Sequence, residues 1–147
     1  MLAFVYILVL YAAHVLLVHV LKGLKNTVAS GIDFSLTGAF LAGYFFGWKW
    51  GFIIGVIFGI TNNIVQMEFF PSLMFLVPMT GVMGIWGALT VVMGWAVLPA
   101  VLVGVVFYAL ITDALMMFIL GERDYVMMGS FFIGSLVINW IFFDVFF

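Results

Sequence analysis

Six polar side chains of this sequence stand within or beside long apolar stretches and could bind a polar solute: Thr37, Asn62, Asn63, Gln66, Glu68 and Asp113. Amide, hydroxyl and carboxyl groups recognise solutes through hydrogen bonds. In an apolar surrounding such groups are costly, and they usually face a cavity or one another. We therefore take these six residues as the candidate substrate-binding residues.

The two adjacent asparagines cannot share a helix face, because neighbouring residues point about 100° apart. One can line a pocket while the other bonds a neighbouring helix, so both interpretations stay open for Asn62 and Asn63. Asn62 and Gln66 are four residues apart and do share a face. Asp113 is expected to be either paired or held neutral by desolvation.

Catalytic and metal chemistry are not indicated by the sequence. His14 and His19 are five residues apart, a poor spacing for binding one metal ion from a helix, and they fit core or interfacial positions better. The sequence has no HExxH motif, no P-loop and no cysteine. "GERD" at 121–124 is expected to be a solvated loop. We expect no enzyme activity, no metal and no cofactor.

The composition indicates that lipid is the solvent of this chain. Of its 147 residues 68% are hydrophobic and 7% charged, with a mean hydropathy of +1.42. A soluble domain carries about a quarter charged residues. The net charge of −2 speaks against nucleic-acid binding through a basic surface. We expect one integral membrane domain over 1–147, whose first apolar run is a transmembrane helix rather than a signal peptide.

The glycines at every fourth position from Gly43 to Gly59 lie in an apolar run that is too long for one crossing. Residues 32–66 would form a helix of about 52 Å at ~1.5 Å per residue, against a hydrocarbon core of ~30 Å. The stretch Gly47-Trp48-Lys49-Trp50-Gly51 is the expected turn of a tight hairpin, with lysine and tryptophans at the interface.

The glycines that remain on the two arms then form a helix-packing surface, either within the chain or for a partner helix. The helix-packing residues we predict are Gly43, Gly47, Gly51, Gly55 and Gly59.

The apolar runs, and the glycine, proline and charged residues that interrupt them, predict an all-α integral membrane protein with six transmembrane helices in one compact bundle. Their expected spans are 2–21, 32–46, 50–66, 73–93, 97–120 and 125–146. We call the end that holds both termini end B and the opposite end A. Because successive helices cross in opposite directions, the candidate binding residues lie toward end A, whereas Lys49 and its flanking tryptophans lie at end B.

The segments "IDFSLTGAFLAGYFFGWKWGFIIGVIFGITNNI" and "MTGVMGIWGAL" resemble the second to fourth helices of S components, the substrate-binding subunits of energy-coupling factor (ECF) importers. They are similar also to the rod-shape protein MreD, which shares that six-helix fold. The resemblance implies a prokaryotic cytoplasmic membrane protein that captures a small polar metabolite or vitamin. Its partners would be a membrane coupling protein and two ATPases. Asn62, Asn63, Gln66 and Glu68 occupy the positions that line the S-component pocket.

Two other functions are compatible with the sequence. The chain could be an MreD-like or accessory scaffold subunit of a larger membrane complex, without transport activity of its own. It could also form a proton or ion path that uses Asp113 and the histidines.

The orientation in the membrane is predicted differently by two arguments. The resemblance makes end A extracellular, because S components keep both termini in the cytoplasm. Lys22, Lys25 and Arg123 lie at end A against Lys49 alone at end B, so the positive-inside rule makes end A cytoplasmic.

Overall fold

The computed structural model describes residues 2–23, 34–66, 73–121, 129, 132–137 and 139–141. These residues form six helices: α1 (Leu2–Gly23), α2 (Phe34–Phe46), α3 (Trp48–Gln66), α4 (Leu73–Val92), α5 (Val97–Leu120) and α6 (within Phe132–Ile141). No strand occurs within those ranges, and the predicted all-α fold class is confirmed. "GERD" at 121–124 lies outside the described residues apart from its glycine.

The reversal between α2 and α3 is tighter than the sequence indicates. Gly47 alone separates the two helices, with a φ of +84°, and its N–H donates to the Gly43 carbonyl at 2.9 Å. A left-handed residue after a helix is a common helix ending, and glycine takes it without steric cost. Trp48 and Lys49 therefore belong to the first turn of α3 rather than to the turn itself.

Helix α2 is the centre of the bundle. Residues 35–43 are all buried, and the helix packs against α1, α3, α4 and α5. Phe40 and Leu41 of α2 form a core with Met83 of α4 and Val101 of α5. With 13 residues α2 is about 20 Å long, shorter than the ~30 Å hydrocarbon core of a bilayer.

Glycines bring the backbones of α2, α3 and α4 almost into contact. A Cβ on Gly84 of α4 would overlap the Gly51 carbonyl, and one on Gly43 would overlap the Gly84 carbonyl. A Cβ on Gly55 would stand 2.5 Å from the Thr80 carbonyl oxygen of α4. These glycines thus serve packing within this chain.

Side-chain contacts fix the relative directions of the helices. Tyr11 of α1 stacks on Phe58 of α3 with ring centroids 4.8 Å apart. Further along both helices, His14 of α1 contacts Asn62 of α3. Because residue numbers increase in the same direction at both contacts, α1 and α3 run parallel. The indole of Trp86 on α4 donates to the Ala100 carbonyl of α5 at 2.9 Å, close to the connection between those helices. Gly51 lies against Gly84 and Gly55 against Thr80, so α3 and α4 run antiparallel. The start of α1, Gly47 and residues 93–96 therefore lie at the same end, end B.

Two helical stretches of the described chain, Phe75–Val92 and Val97–Leu115, are long and apolar enough to cross a membrane. The outer surface carries many exposed large apolar side chains on α1, α3, α5 and α6, among them Val9, Leu16, Ile57, Ile64, Leu110, Phe118 and Ile133.

Candidate functional site

A histidine and an asparagine join α1 to α3 in the half of the bundle toward end A. His14 Nε2 lies 3.0 Å from Asn62 Oδ1. An amide oxygen only accepts hydrogen bonds, so the imidazole donates through Nε2. His14 is 2% exposed, whereas Asn62 is half-buried. The pair continues the face on which Tyr11 and Phe58 stack, because residues three or four apart on a helix are neighbours.

A second polar contact joins α2 to α6. The Thr37 hydroxyl donates to Asn139 Oδ1 at 2.5 Å, and Asn139 Nδ2 donates to the Ser135 carbonyl at 2.7 Å. Thr37, Ser135 and Asn139 are each 1% exposed. Buried amides and hydroxyls are tolerated when their hydrogen-bonding groups are paired in this way. The contact therefore fixes the position of α6 against the central helix.

The structure distributes the predicted binding residues over different helix contacts. Asn62 lies on the α1–α3 contact and Thr37 on the α2–α6 contact. Asp113 is half-buried on α5. Glu68 lies outside the described residues, as do the side chains of Asn63 and Gln66.

The predicted residues Asn62 and Asp113 lie at a similar depth along the bundle, together with His14. Counting ~1.5 Å per residue from the starts of α1, α3 and α5, His14 lies about 18 Å, Asn62 about 21 Å and Asp113 about 24 Å from end B. Beside Asp113, the buried Thr112 hydroxyl oxygen has no hydrogen-bond partner among the described residues. We call these groups, which lie at similar depth on three helices, the polar layer.

Sequence reasoning missed three residues of the two contacts. It placed His14 in the core or interface without identifying Asn62 as its partner, and it left Asn139 and Ser135 out of the candidate set. Asn139 carried a usable signal, because an amide within the apolar stretch "SLVINWIFF" requires a partner inside a membrane.

The described residues contain no group of three or more histidine or acidic side chains that could hold a metal ion. The chemistry available at the two polar contacts and in the polar layer is hydrogen bonding by imidazole, amide and hydroxyl groups, together with one carboxyl group on α5.

Comparisons with protein-family models, with curated proteins and with solved structures find no match to this chain.

Proposed function

We propose that this protein is the substrate-binding membrane subunit of an ECF-type importer for a small polar metabolite or vitamin. The observation that carries the proposal is the His14–Asn62 contact, in which a polar pair stands inside an apolar bundle with one member still half-exposed. Polar groups at such a depth are functional candidates because they are expensive to keep in hydrocarbon. A membrane coupling protein and two ATPases would complete the importer.

The distribution of apolar side chains supports membrane insertion. In each of the two long apolar stretches only 33% of the residues are buried within the protein, whereas a core helix of a soluble protein is mostly buried. The exposed side chains of both stretches are apolar, with Val92 86% and Leu110 59% exposed. Soluble monomers rarely present such continuous apolar surface. Six crossings then follow as the proposed arrangement of the helices.

The polar layer supports solute binding toward end A. Asn62 and Asp113 stand on different helices at similar depth, and the amide, imidazole and carboxyl groups of this layer offer both donors and acceptors. A small polar solute could exchange its hydrogen bonds to water for hydrogen bonds to these groups.

The test is mass spectrometry of the small molecules that co-purify with the protein in mild detergent. A bound polar metabolite is expected. The Asn62→Leu and Asp113→Leu variants should each lose the metabolite while they stay helical and still show a melting transition. Thr61→Val is the matched control, because the Thr61 hydroxyl bonds the Ile57 carbonyl of its own helix at 2.8 Å. Retention of the metabolite in both leucine variants would count against the proposal.

A scaffold subunit, MreD-like or accessory to a larger membrane complex, is the second candidate. It is favoured by the way in which Asn62 and Thr37 hydrogen-bond to side chains of the same chain. This function predicts stable co-purifying proteins and no metabolite. Since Gly51 and Gly55 pack on α4, bulky replacements there would disturb the fold of the chain itself. The partner of a scaffold would have to dock on the outer apolar surface.

A further inference from the structure

The His14–Asn62 contact determines which end of the Asn62 amide can meet a solute. His14 Nε2 lies 3.0 Å from Asn62 Oδ1, so the amide oxygen is directed toward the imidazole. The oxygen and the nitrogen of an amide diverge from one carbon atom, and Nδ2 is therefore directed away from His14. His14 is 2% exposed and Asn62 is half-buried, so a solute reaches Asn62 from the side away from the imidazole.

The imidazole is held in place by the packing of α1 on α3. Tyr11 and Phe58, which precede His14 and Asn62 by about one turn, stack with ring centroids 4.8 Å apart. A buried side chain between packed helices has few alternative rotamers. His14 is therefore a fixed donor, and it selects one of the two orientations that the amide can take about its last rotatable bond.

The charge of the surrounding helices also favours an acceptor on the solute. Helices α1, α2, α3 and α4 contain no acidic residue over their described spans. A solute oxygen that carries negative charge therefore meets no like charge from these four helices. The acid of the polar layer, Asp113, stands on α5, which packs against α4 and α2.

Resting on the function proposed above, we infer that His14 is a positioning residue for Asn62 and that the solute meets this amide with a carbonyl or carboxylate oxygen. Nδ2 of Asn62 carries two N–H donors, and an ammonium group offers no acceptor to them. To bind an ammonium group, the amide would have to turn its oxygen outward and break the hydrogen bond from His14. A buried donor that loses its acceptor is costly, so the contact selects against such solutes.

The first experiment measures which imidazole nitrogen carries the proton, with no solute present. The chain has two histidines, and His19 is exposed, so His19→Gln leaves His14 alone when the purification tag contains no histidine. After labelling with nitrogen-15 histidine, the nitrogen chemical shifts of the protein in detergent should show a proton on Nε2. A proton on Nδ1 alone overturns the positioning role, because Nε2 would then accept from the amide.

The second experiment measures affinity for the metabolite that co-purifies with the parent chain, which is identified by its mass, washed out and added back at known concentrations. Asn62→Asp keeps an oxygen for His14 and replaces the outward N–H₂ by a second oxygen, so affinity should fall about tenfold or more. His14→Leu lets the amide turn and should lower affinity about tenfold. His14→Gln supplies an N–H donor again and should recover affinity to within about threefold of the parent.

Thr61→Val is the control, because Thr61 is the neighbour of Asn62 on α3 and its hydroxyl bonds the Ile57 carbonyl. Its affinity should equal that of the parent chain. A loss of affinity in Thr61→Val as large as in Asn62→Asp would overturn the inference, because the loss would then not be specific to the amide.

Three further outcomes overturn the assignment of the solute group. These are a metabolite without a carbonyl or carboxylate oxygen, an Asn62→Asp variant that binds as tightly as the parent, and a His14→Gln variant that binds no better than His14→Leu. If His14→Leu does not fold, Asn62→Asp and the imidazole measurement decide. A parent chain without any metabolite overturns the proposed function and the solute group together, whereas the proton on His14 still decides whether His14 orients Asn62.

Discussion

Gly84 is the residue at which three helices approach one another most closely. A side chain there would overlap the Gly51 carbonyl, and the Gly84 carbonyl itself lies against Gly43. We expect Gly84→Ala to push α3 away from α4, because backbone atoms cannot rotate aside as a flexible side chain can. Overpacking of this kind costs about 1–3 kcal/mol. A fall of several degrees in the melting temperature, followed by circular dichroism in detergent, is the expected result.

The control for Gly84 is Gly129, where an added Cβ would meet nothing within 4 Å. Gly129→Ala should leave the melting temperature unchanged or slightly raised, since alanine is the better helix former. If both alanine variants melt together with the parent chain, the close approach of α3 and α4 at Gly84 is wrong.

The element that most depends on one residue is the α2–α3 hairpin. Gly47 has a φ of +84°, and a Cβ there would meet nothing within 4 Å, so substitution changes the backbone preference and little else. Gly47→Ala should lower the free energy of unfolding by about 1–2 kcal/mol. Asparagine tolerates the left-handed region better, so Gly47→Asn should lose less. Chemical denaturation monitored by circular dichroism compares the parent protein with the two variants. Equal stability of all three would contradict a left-handed turn at Gly47.

The length of the apolar run predicted that residues 32–66 reverse direction, and the sequence pattern placed the reversal within 47–51. The pattern could not decide which residue of that stretch makes the turn. Gly47 and Gly51 are equally able to end a helix, and a Trp-Lys-Trp segment fits either a turn or a first helical turn at an interface. Packing decides between them. Gly51 has to lie within α3 because its backbone meets Gly43 and Gly84, which leaves Gly47 as the residue that reverses the chain.

The sequence predicts a polar region, but it could not predict the side-chain contacts that the structure shows. The sequence indicates which residues are polar and roughly how deep they lie, because depth follows from residue count. It does not indicate how each helix is rotated about its axis. Rotation turns Asn62 toward His14 and Thr37 toward Asn139, and it depends on packing between helices, such as the stacking of Tyr11 on Phe58 between α1 and α3.

At the scale of the whole molecule, α2 is a buried axis that packs against the longer helices α1, α3, α4 and α5. Its 13 residues make it about 20 Å long, and the parallel run of α1 and α3 leaves one end of the bundle to the Gly47 turn and to residues 93–96. In the proposed membrane arrangement these two connections face the same side. The exposed side chains between them and end A then face lipid.

Cysteine labelling can test this arrangement, because the chain has no cysteine of its own. In sealed vesicles, Lys49→Cys and Met93→Cys should react with a membrane-impermeant maleimide from one and the same side, since both are exposed at end B. Ile57→Cys should stay unlabelled although Ile57 is 50% exposed, because it lies about 14 Å along α3, within hydrocarbon.

Labelling of Ile57→Cys as fast as Met93→Cys would exclude the membrane placement. Labelling of the two end-B cysteines from opposite sides would exclude the alternation of helices. The side that reacts also decides whether the positive-inside rule or the S-component resemblance gives the orientation.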